Sequence, residues 1–128
     1  DTFAAKVALF KSIVNDRFNY KRLEIDQELG FKIVDEDTRE SLDFGVLSSG
    51  EQHELVLTYE LLFNVSRGSL ILIDEPELSL HLSWQQRFLP DLLRIIELAD
   101  FDTLIATHSS DIIGDRWDLA QALERPKA

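Results

Sequence analysis

Leu70-Ile71-Leu72-Ile73-Asp74-Glu75-Pro76-Glu77 decides the fold. Four aliphatic residues run straight into two adjacent carboxylates and then a proline. A continuous apolar run of this length reads as a strand buried on both faces, as in a parallel sheet. Gly68 and Pro76 punctuate its ends. Open α/β sheets carry their chemistry just beyond the carboxyl ends of the strands. Asp74 and Glu75 fall at that point, where two acids suit a hard cation and a water to be deprotonated.

The stretches downstream extend the unit. Glu77-Leu78-Ser79-Leu80-His81 leads into a long helix, expected to reach residue 99, with an apolar face of Leu82, Phe88, Leu89, Leu92, Leu93, Ile95 and Ile96. Pro90 inside it should kink or break it. Thr103-Leu104-Ile105-Ala106-Thr107 reads as a second buried strand and ends in His108-Ser109-Ser110-Asp111. Strand, helix, strand predicts two parallel strands. Their carboxyl ends then share an edge, which brings Asp74, Glu75 and His108 to one rim.

Upstream, Leu47-Ser48-Ser49-Gly50-Glu51-Gln52 is a loop running into a helix. Ser49 and Gln52 have the spacing of a capping box. The helix that follows carries Leu55, Val56, Leu57, Tyr59, Leu61, Leu62 and Phe63, is apolar nearly all round, and is expected to be deeply buried. Residues 3–18 form an amphipathic helix, with Phe3, Val7, Phe10, Val14 and Phe18 on its stripe. Alternation around Leu23 and Ile25, then Phe31, Ile33 and Val34, predicts a hairpin turning near Leu29-Gly30, with a further strand near Leu42.

The chain has 128 residues and a formal charge of −11, with 45% hydrophobic residues. It reads as one domain, residues 1–128, with no linker. The acidic balance argues against a broad nucleic-acid or anionic-membrane surface on this chain. No run approaches the roughly 20 apolar residues of a membrane span. Cysteine is absent, which removes disulfides and thiolate sites and fits a cytoplasmic setting. The chain begins with Asp1 and has no Met, so it is expected to be part of a longer protein. Trp84 and Trp117 are expected to pack, Gln85 and Gln86 to be solvated, and His53 to sit on a helix surface.

Three separated stretches together resemble the ABC-type ATPases. Leu47 to Gln52 resembles their signature motif, Leu70 to Glu75 their Walker B strand with its catalytic glutamate, and His108 their switch histidine. The likeness is strongest to bacterial ATP-binding proteins grouped with chromosome-maintenance and overcoming-lysogenization-defect ATPases. In that group the Asp-Glu-Pro-Glu-x-Ser-Leu-His and Ala-Thr-His-Ser stretches are familiar. The resemblance covers nearly the whole chain. It implies a partial P-loop NTPase, ABC-ATPase-like α/β fold: a parallel sheet with flanking helices, plus an N-terminal helix and antiparallel hairpin.

The resemblance also implies roles. Ser48, Ser49, Gly50 and Glu51 would face the γ-phosphate of ATP bound by a partner subunit, at a helix N-terminus that favours anions. Asp74 would hold Mg2+, Glu75 would polarise the attacking water, and His108 would hydrogen-bond the γ-phosphate. Ser79 and His81 fall in the stretch that crosses the interface of an ATP-dependent homodimer. Ser49 replaces the first glycine of the common signature, and His81 stands where many of these ATPases carry aspartate.

No Gly-x-x-x-x-Gly-Lys-Ser/Thr occurs; the glycines are 30, 45, 50, 68 and 114. The P-loop is therefore expected on a missing N-terminal segment, without which the chain should not hydrolyse ATP. Residues 103–107 would lie in the middle of the completed sheet, so Leu104, Ile105 and Ala106 should form an unprotected edge that favours self-association. Two other functions compete. A metal-dependent phosphoesterase or nuclease could use Asp74, Glu75, His108 and Asp111 as ligands, but leaves the Leu-Ser-Ser-Gly-Glu-Gln loop unexplained. A non-catalytic dimerisation module does not need an intact Glu75. Nucleic acid could be a partner of the intact protein, but this acidic chain does not indicate it.

Overall fold

A computed structural model describes residues 2–28 and 30–123. Helix α1, Thr2–Arg17, opens the chain. Strands β1, Lys21–Asp26, and β2, Gly30–Asp35, pair antiparallel from Lys21↔Asp35 to Asp26↔Gly30, and the short β3, Ser41–Leu42, adds to β2. The expected hairpin is there; Leu29, at its expected turn, lies outside the described residues. Helix α2, Ser49–Tyr59, runs on into one π-helical turn, Glu60–Asn64. Strand β4, Leu70–Asp74, helix α3, Leu82–Ala99, and strand β5, Asp102–Ala106, then form the β–α–β unit, and the short helix α4, Ser110–Ile113, follows. β4 and β5 are neighbours and parallel, with Asp74 opposite Ala106.

The core lies between α1, α3 and the hairpin. Phe10 and Val14 on α1 and Phe18 just beyond its end cluster with Leu23 and Ile33 of the hairpin, and with Phe88, Leu92 and Ile95 of α3. Phe10 is the centre of an aromatic cluster, with Phe31 at 4.9 Å and Phe63 at 5.8 Å, both edge-on. Phe3, expected on the same stripe, is mostly exposed.

α3 continues unbroken through Pro90, against the expected break. A proline inside a helix costs about 3 kcal/mol. Phe88, Leu92 and Ile95 are all buried around it. Each such side chain contributes roughly 1.5–3 kcal/mol on burial, so packing outweighs the lost hydrogen bond. Leu82, expected on the buried face, is exposed; Trp84 takes that place.

The two parallel strands are covered on one face only, which corrects the expectation of strands buried on both. Ile71, Ile73 and Ile105 pack toward the core. Leu70, Leu72 and Leu104 on the other face are 62%, 69% and 64% exposed. The reason is period two: alternate residues face opposite ways, and no described element covers the second face. α2 is likewise not buried all round, since Val56 and Tyr59 are exposed while Glu51, Glu54 and Thr58 are buried.

Among the described residues the most buried charge is Arg17, whose side chain is 1% exposed. It lies 2.7 Å from Asp91 of α3, 3.3 Å from Glu54 of α2 and 2.8 Å from Asp16 beside it. Asp16 in turn holds Arg87 of α3. Three helices therefore share one guanidinium. Stripping one partner from such a pair costs about 3–5 kcal/mol, because the other charge stays buried. Glu54 is the weak member: among the described residues its buried Oε2 has no hydrogen-bond partner. Burial pushes the Glu54 carboxyl above its ordinary value; Arg17 opposes this and Asp91 adds to it.

That shift has a sign. Protonated Glu54 contributes stability that is full below the ordinary glutamate pKa and is lost as pH rises through the raised folded value. Glu54→Gln mimics the neutral form. Its stability relative to wild type should therefore rise as the pH climbs from the ordinary glutamate range through the raised folded value, read from thermal melts across that climb. A constant difference would show that Glu54 is not held against its charge.

Candidate functional site

The rim is built where β4 and β5 end together. Glu75 extends the ladder by one step, its N–H donating to the Ala106 carbonyl at 2.7 Å. Its backbone then turns left-handed, at φ 47° and ψ 57°, before the 3₁₀ turn Pro76–Ser79. A non-glycine residue there is held at a cost on the order of 1–3 kcal/mol, and such positions cluster at functional sites. The turn sets the Glu75 carboxylate opposite His108, with Oε1 and Nε2 3.5 Å apart. His108 is 90% exposed and Glu75 partly exposed. Asp74, one residue earlier, is exposed, and its carboxylate has no partner among the described residues. An uncommitted carboxylate at a strand end fits a magnesium ion, which takes one or two protein carboxylates and completes its shell with phosphate and water.

Behind the rim, the sequence reading missed a network. Glu77 accepts from the Thr107 hydroxyl at 2.7 Å and from the His108 backbone N–H at 2.9 Å. Burial pushes the Glu77 carboxyl up, but these two donors outweigh it and hold it below the usual range. Ser109 donates from its backbone to Thr107 Oγ at 3.0 Å and from its hydroxyl to Gln85 Oε1 at 2.7 Å. Gln85 donates to the Leu80 carbonyl at 3.1 Å, so it is engaged rather than solvated. Gln86 reaches Asp111 at 3.4 Å. The pairings of Glu77 with Thr107 and His108, of Ser109 with Gln85 and of Gln86 with Asp111 carry no local sequence signal, because each joins residues about 25 to 30 apart in the chain.

The loop Leu47–Gln52 is a helix start, shifted by one residue from the expected capping box. Ser48, not Ser49, is the N-cap: its backbone is extended and its Oγ accepts from Glu51 N–H at 3.1 Å. Glu51 closes the box by accepting from Ser48 N–H at 2.9 Å. Gln52 instead donates to the Leu47 carbonyl at 3.2 Å. Glu51 is buried and also takes Lys21 Nζ at 3.0 Å. Burial alone would raise its carboxyl; the Ser48 N–H and Lys21 bring it below the usual value. Both Glu51 oxygens are thus engaged within the chain, one by Ser48 and Lys21 and the other by Asn19 N–H at 3.4 Å, while Ser48 and Ser49 remain exposed.

Gly50 joins this loop to the turn after β4. A Cβ on it would lie 3.4 Å from the Trp84 ring and 3.6 Å from the Ser79 carbonyl. Trp84 also carries the His81 ring edge-on at 4.8 Å. His81 holds the N-cap position of α3 but makes no side-chain cap. Ser79 Oγ donates within its own turn, to the Pro76 carbonyl at 3.4 Å. Trp84 packs as expected, whereas Trp117 does not and is 59% exposed.

The structure therefore brings Glu75 and His108 together with Asp74 at one rim, and Gly50 together with Ser79. Among the described residues no three His, Asp or Glu side chains form a group that could hold a metal ion. Asp111 turns to Gln86, so the four-ligand centre required by the phosphoesterase alternative is not assembled. No described helix is long and apolar enough to cross a membrane.

A family model described as "AAA domain, putative AbiEii toxin, Type IV TA system" matches residues 4–114. That span runs from α1 to the end of α4 and contains the whole rim, the Ser48–Glu51 loop and the Glu77 network. No curated protein matches the chain.

The Gly50 contact separates fold from function. Gly50→Ala should fold at least as stably as wild type, since its methyl meets Trp84 at ordinary contact distance and alanine favours a helix by up to about 1 kcal/mol. Gly50→Leu has no such room and should melt lower. Thermal melts of both variants check this; a marked loss in Gly50→Ala would mean that the chain itself needs the glycine in order to fold.

Proposed function

The chain belongs to the AAA-domain family whose model it matches over residues 4–114, and on that premise we propose that it supplies the hydrolytic and partner-facing half of a dimerising, ABC-type ATPase site. The family places it among P-loop, nucleotide-binding ATPase domains. The observation that carries the finer reading is the 3.5 Å approach of Glu75 and His108 beside the uncommitted Asp74.

ATP and Mg2+, when bound, supply the electrophilic γ-phosphoryl group and neutralise its charge. The residues here do the rest. Asp74 offers its carboxylate to the cation. Glu75 orients a water and takes its proton at the carboxylate. His108 offers Nε2 as a hydrogen-bond donor or acceptor within reach of Glu75. Ser48, Ser49 and the first N–H groups of α2 present donors to an anion held by a second subunit, as a helix N-terminus favours. Ser79 and His81 lie on the adjoining turn, at the same interface. Glu51 contributes by holding the loop in shape from behind.

The uncovered face of Leu70, Leu72 and Leu104 supports the remaining part of the reading. A further segment, carrying the P-loop and its helix, would pack there and complete the sheet beside β5. Burying three leucines would contribute roughly 1.5–3 kcal/mol each, enough to hold such a segment in place.

In the intact protein, Glu75→Gln should keep nucleotide binding and slow hydrolysis by roughly 10²- to 10⁴-fold. Turnover within about threefold of wild type would exclude Glu75 as the base. For the dimer, Ser48→Arg should abolish ATP-dependent association in sedimentation. Ser48 is also the N-cap, so Ser48→Ala is the control: it loses about 0.5–2 kcal/mol of stability but adds no bulk, and should still associate. An ATP-induced dimer in Ser48→Arg would rule out the phosphate-facing role of this loop.

A further inference from the structure

Two loops leave the carboxyl ends of the parallel pair, and one side chain ties them together. Glu77 belongs to the turn after β4. Both its donors, Thr107 and His108, belong to the loop after β5. The His108 ring is almost wholly exposed, with its Nε2 3.5 Å from Glu75. Such a ring is not fixed by its own packing. Its placement has to come from its backbone, and the His108 N–H is held by the Glu77 carboxylate.

We infer that Glu77 is a positioning residue for the reaction at the rim, holding the backbone of His108 and the side chain of Thr107 so that His108 stands against Glu75. This rests on the reading of Glu75 and His108 given above.

The chemistry suits the task. Hydrogen bonds to an ionised carboxylate are shorter and about twice as strong as neutral ones. Glu77 accepts two, one at each oxygen, so it fixes both the position and the twist of the loop. The depressed pKa of Glu77 agrees, since both donors favour its charged form. The loop is fixed from its other side as well. Ser109 caps α4 by accepting from the Ile112 N–H at 3.4 Å and donates to Gln85. Gln85 returns to the Leu80 carbonyl at the end of the turn that begins beside Glu77. Glu77, Thr107, Ser109, Gln85 and Leu80 thus close a ring of hydrogen bonds behind the rim, with Glu75 and His108 in front of it.

The test is steady-state kinetics on the full-length ATPase with a double-mutant cycle. Glu77→Ala should lower kcat about 10- to 100-fold with KM within about twofold, the scale of a misplaced catalytic group. Glu77→Gln should recover to within about threefold of wild type. Its amide oxygen can accept from the His108 N–H, while its NH₂ donates to Thr107 Oγ. In a His108→Ala background, Glu77→Ala should add nothing further. Amide exchange at His108 should quicken in Glu77→Ala without change in far-ultraviolet circular dichroism. Where Glu77→Ala fails to fold, Thr107→Val removes one of the two donors and should lower kcat in the same way.

A KM effect with unchanged kcat, additive losses in the cycle, or an equally protected His108 amide would each overturn the inference. Glu75→Gln run in parallel separates the two levels. If Glu75→Gln is slow and Glu77→Ala is not, this inference alone fails. If Glu75→Gln turns over like wild type, the rim is not the reaction site and both readings fall.

Discussion

A guanidinium buried between three helices is the constraint on which the rest of the architecture depends. Arg17 is the last residue of α1, and it reaches Glu54 on α2 and Asp91 on α3. An apolar side chain there would let the helices slide, because hydrophobic contact has no direction. A planar, forked cation does not, since each nitrogen needs its carboxylate in one place. The register of α2 against α3 follows from this. α2 begins with the Ser48–Glu51 box and α3 begins at the turn beyond the rim. Fixing the two helices at Arg17 therefore fixes the relation between the Ser48–Glu51 loop and the rim of Asp74, Glu75 and His108. The close approach of α2 to Trp84 at Gly50, where a Cβ would lie 3.4 Å from the ring, repeats the link nearer the rim.

Charge elsewhere serves the same end. Glu51 and Glu77 both lie in motif stretches, and both spend their carboxylates on backbone N–H groups within the chain. Glu75 and Asp74 do the opposite: one faces an exposed histidine and the other is uncommitted among the described residues. In the stretch after β4 one acid, Glu77, holds the loop, while Asp74 and Glu75 stand at the open rim. The left-handed backbone at Glu75 belongs to the second group. Its strain is carried by the ladder bond to Ala106 on one side and the proline turn on the other.

The parallel pair is covered on one face only. β4 and β5 bury Ile71, Ile73 and Ile105 and leave three leucines in solvent. Patches of exposed apolar side chains mark contact surfaces. This one lies on the sheet that carries the rim, so whatever covers it is brought next to Asp74 and Glu75.

Much of this was legible in the sequence. The apolar runs, the helix between them and the acids at their end determined two parallel strands with Asp74, Glu75 and His108 on one rim, because a β–α–β unit leaves few alternatives. The amphipathic spacing of Phe10, Val14 and Phe18 determined α1. Arg17 stood on that same stripe, three residues after Val14, and its phase was a signal that went unread. The capping residue was misplaced by one, since Ser48-Ser49 followed by Glu51-Gln52 offers two overlapping boxes and only the extended backbone at Ser48 chooses between them. Burial of only one strand face, the continuity of α3 through Pro90 and the Glu77 network were decided by tertiary structure alone. Each depends on what stands across from a residue in space: a missing layer, a packed face that outweighs a lost hydrogen bond, or donors thirty residues away. A sequence specifies the periodicity and chemistry of its own segments; which segments meet, and which charges they then share, is settled only when the chain packs.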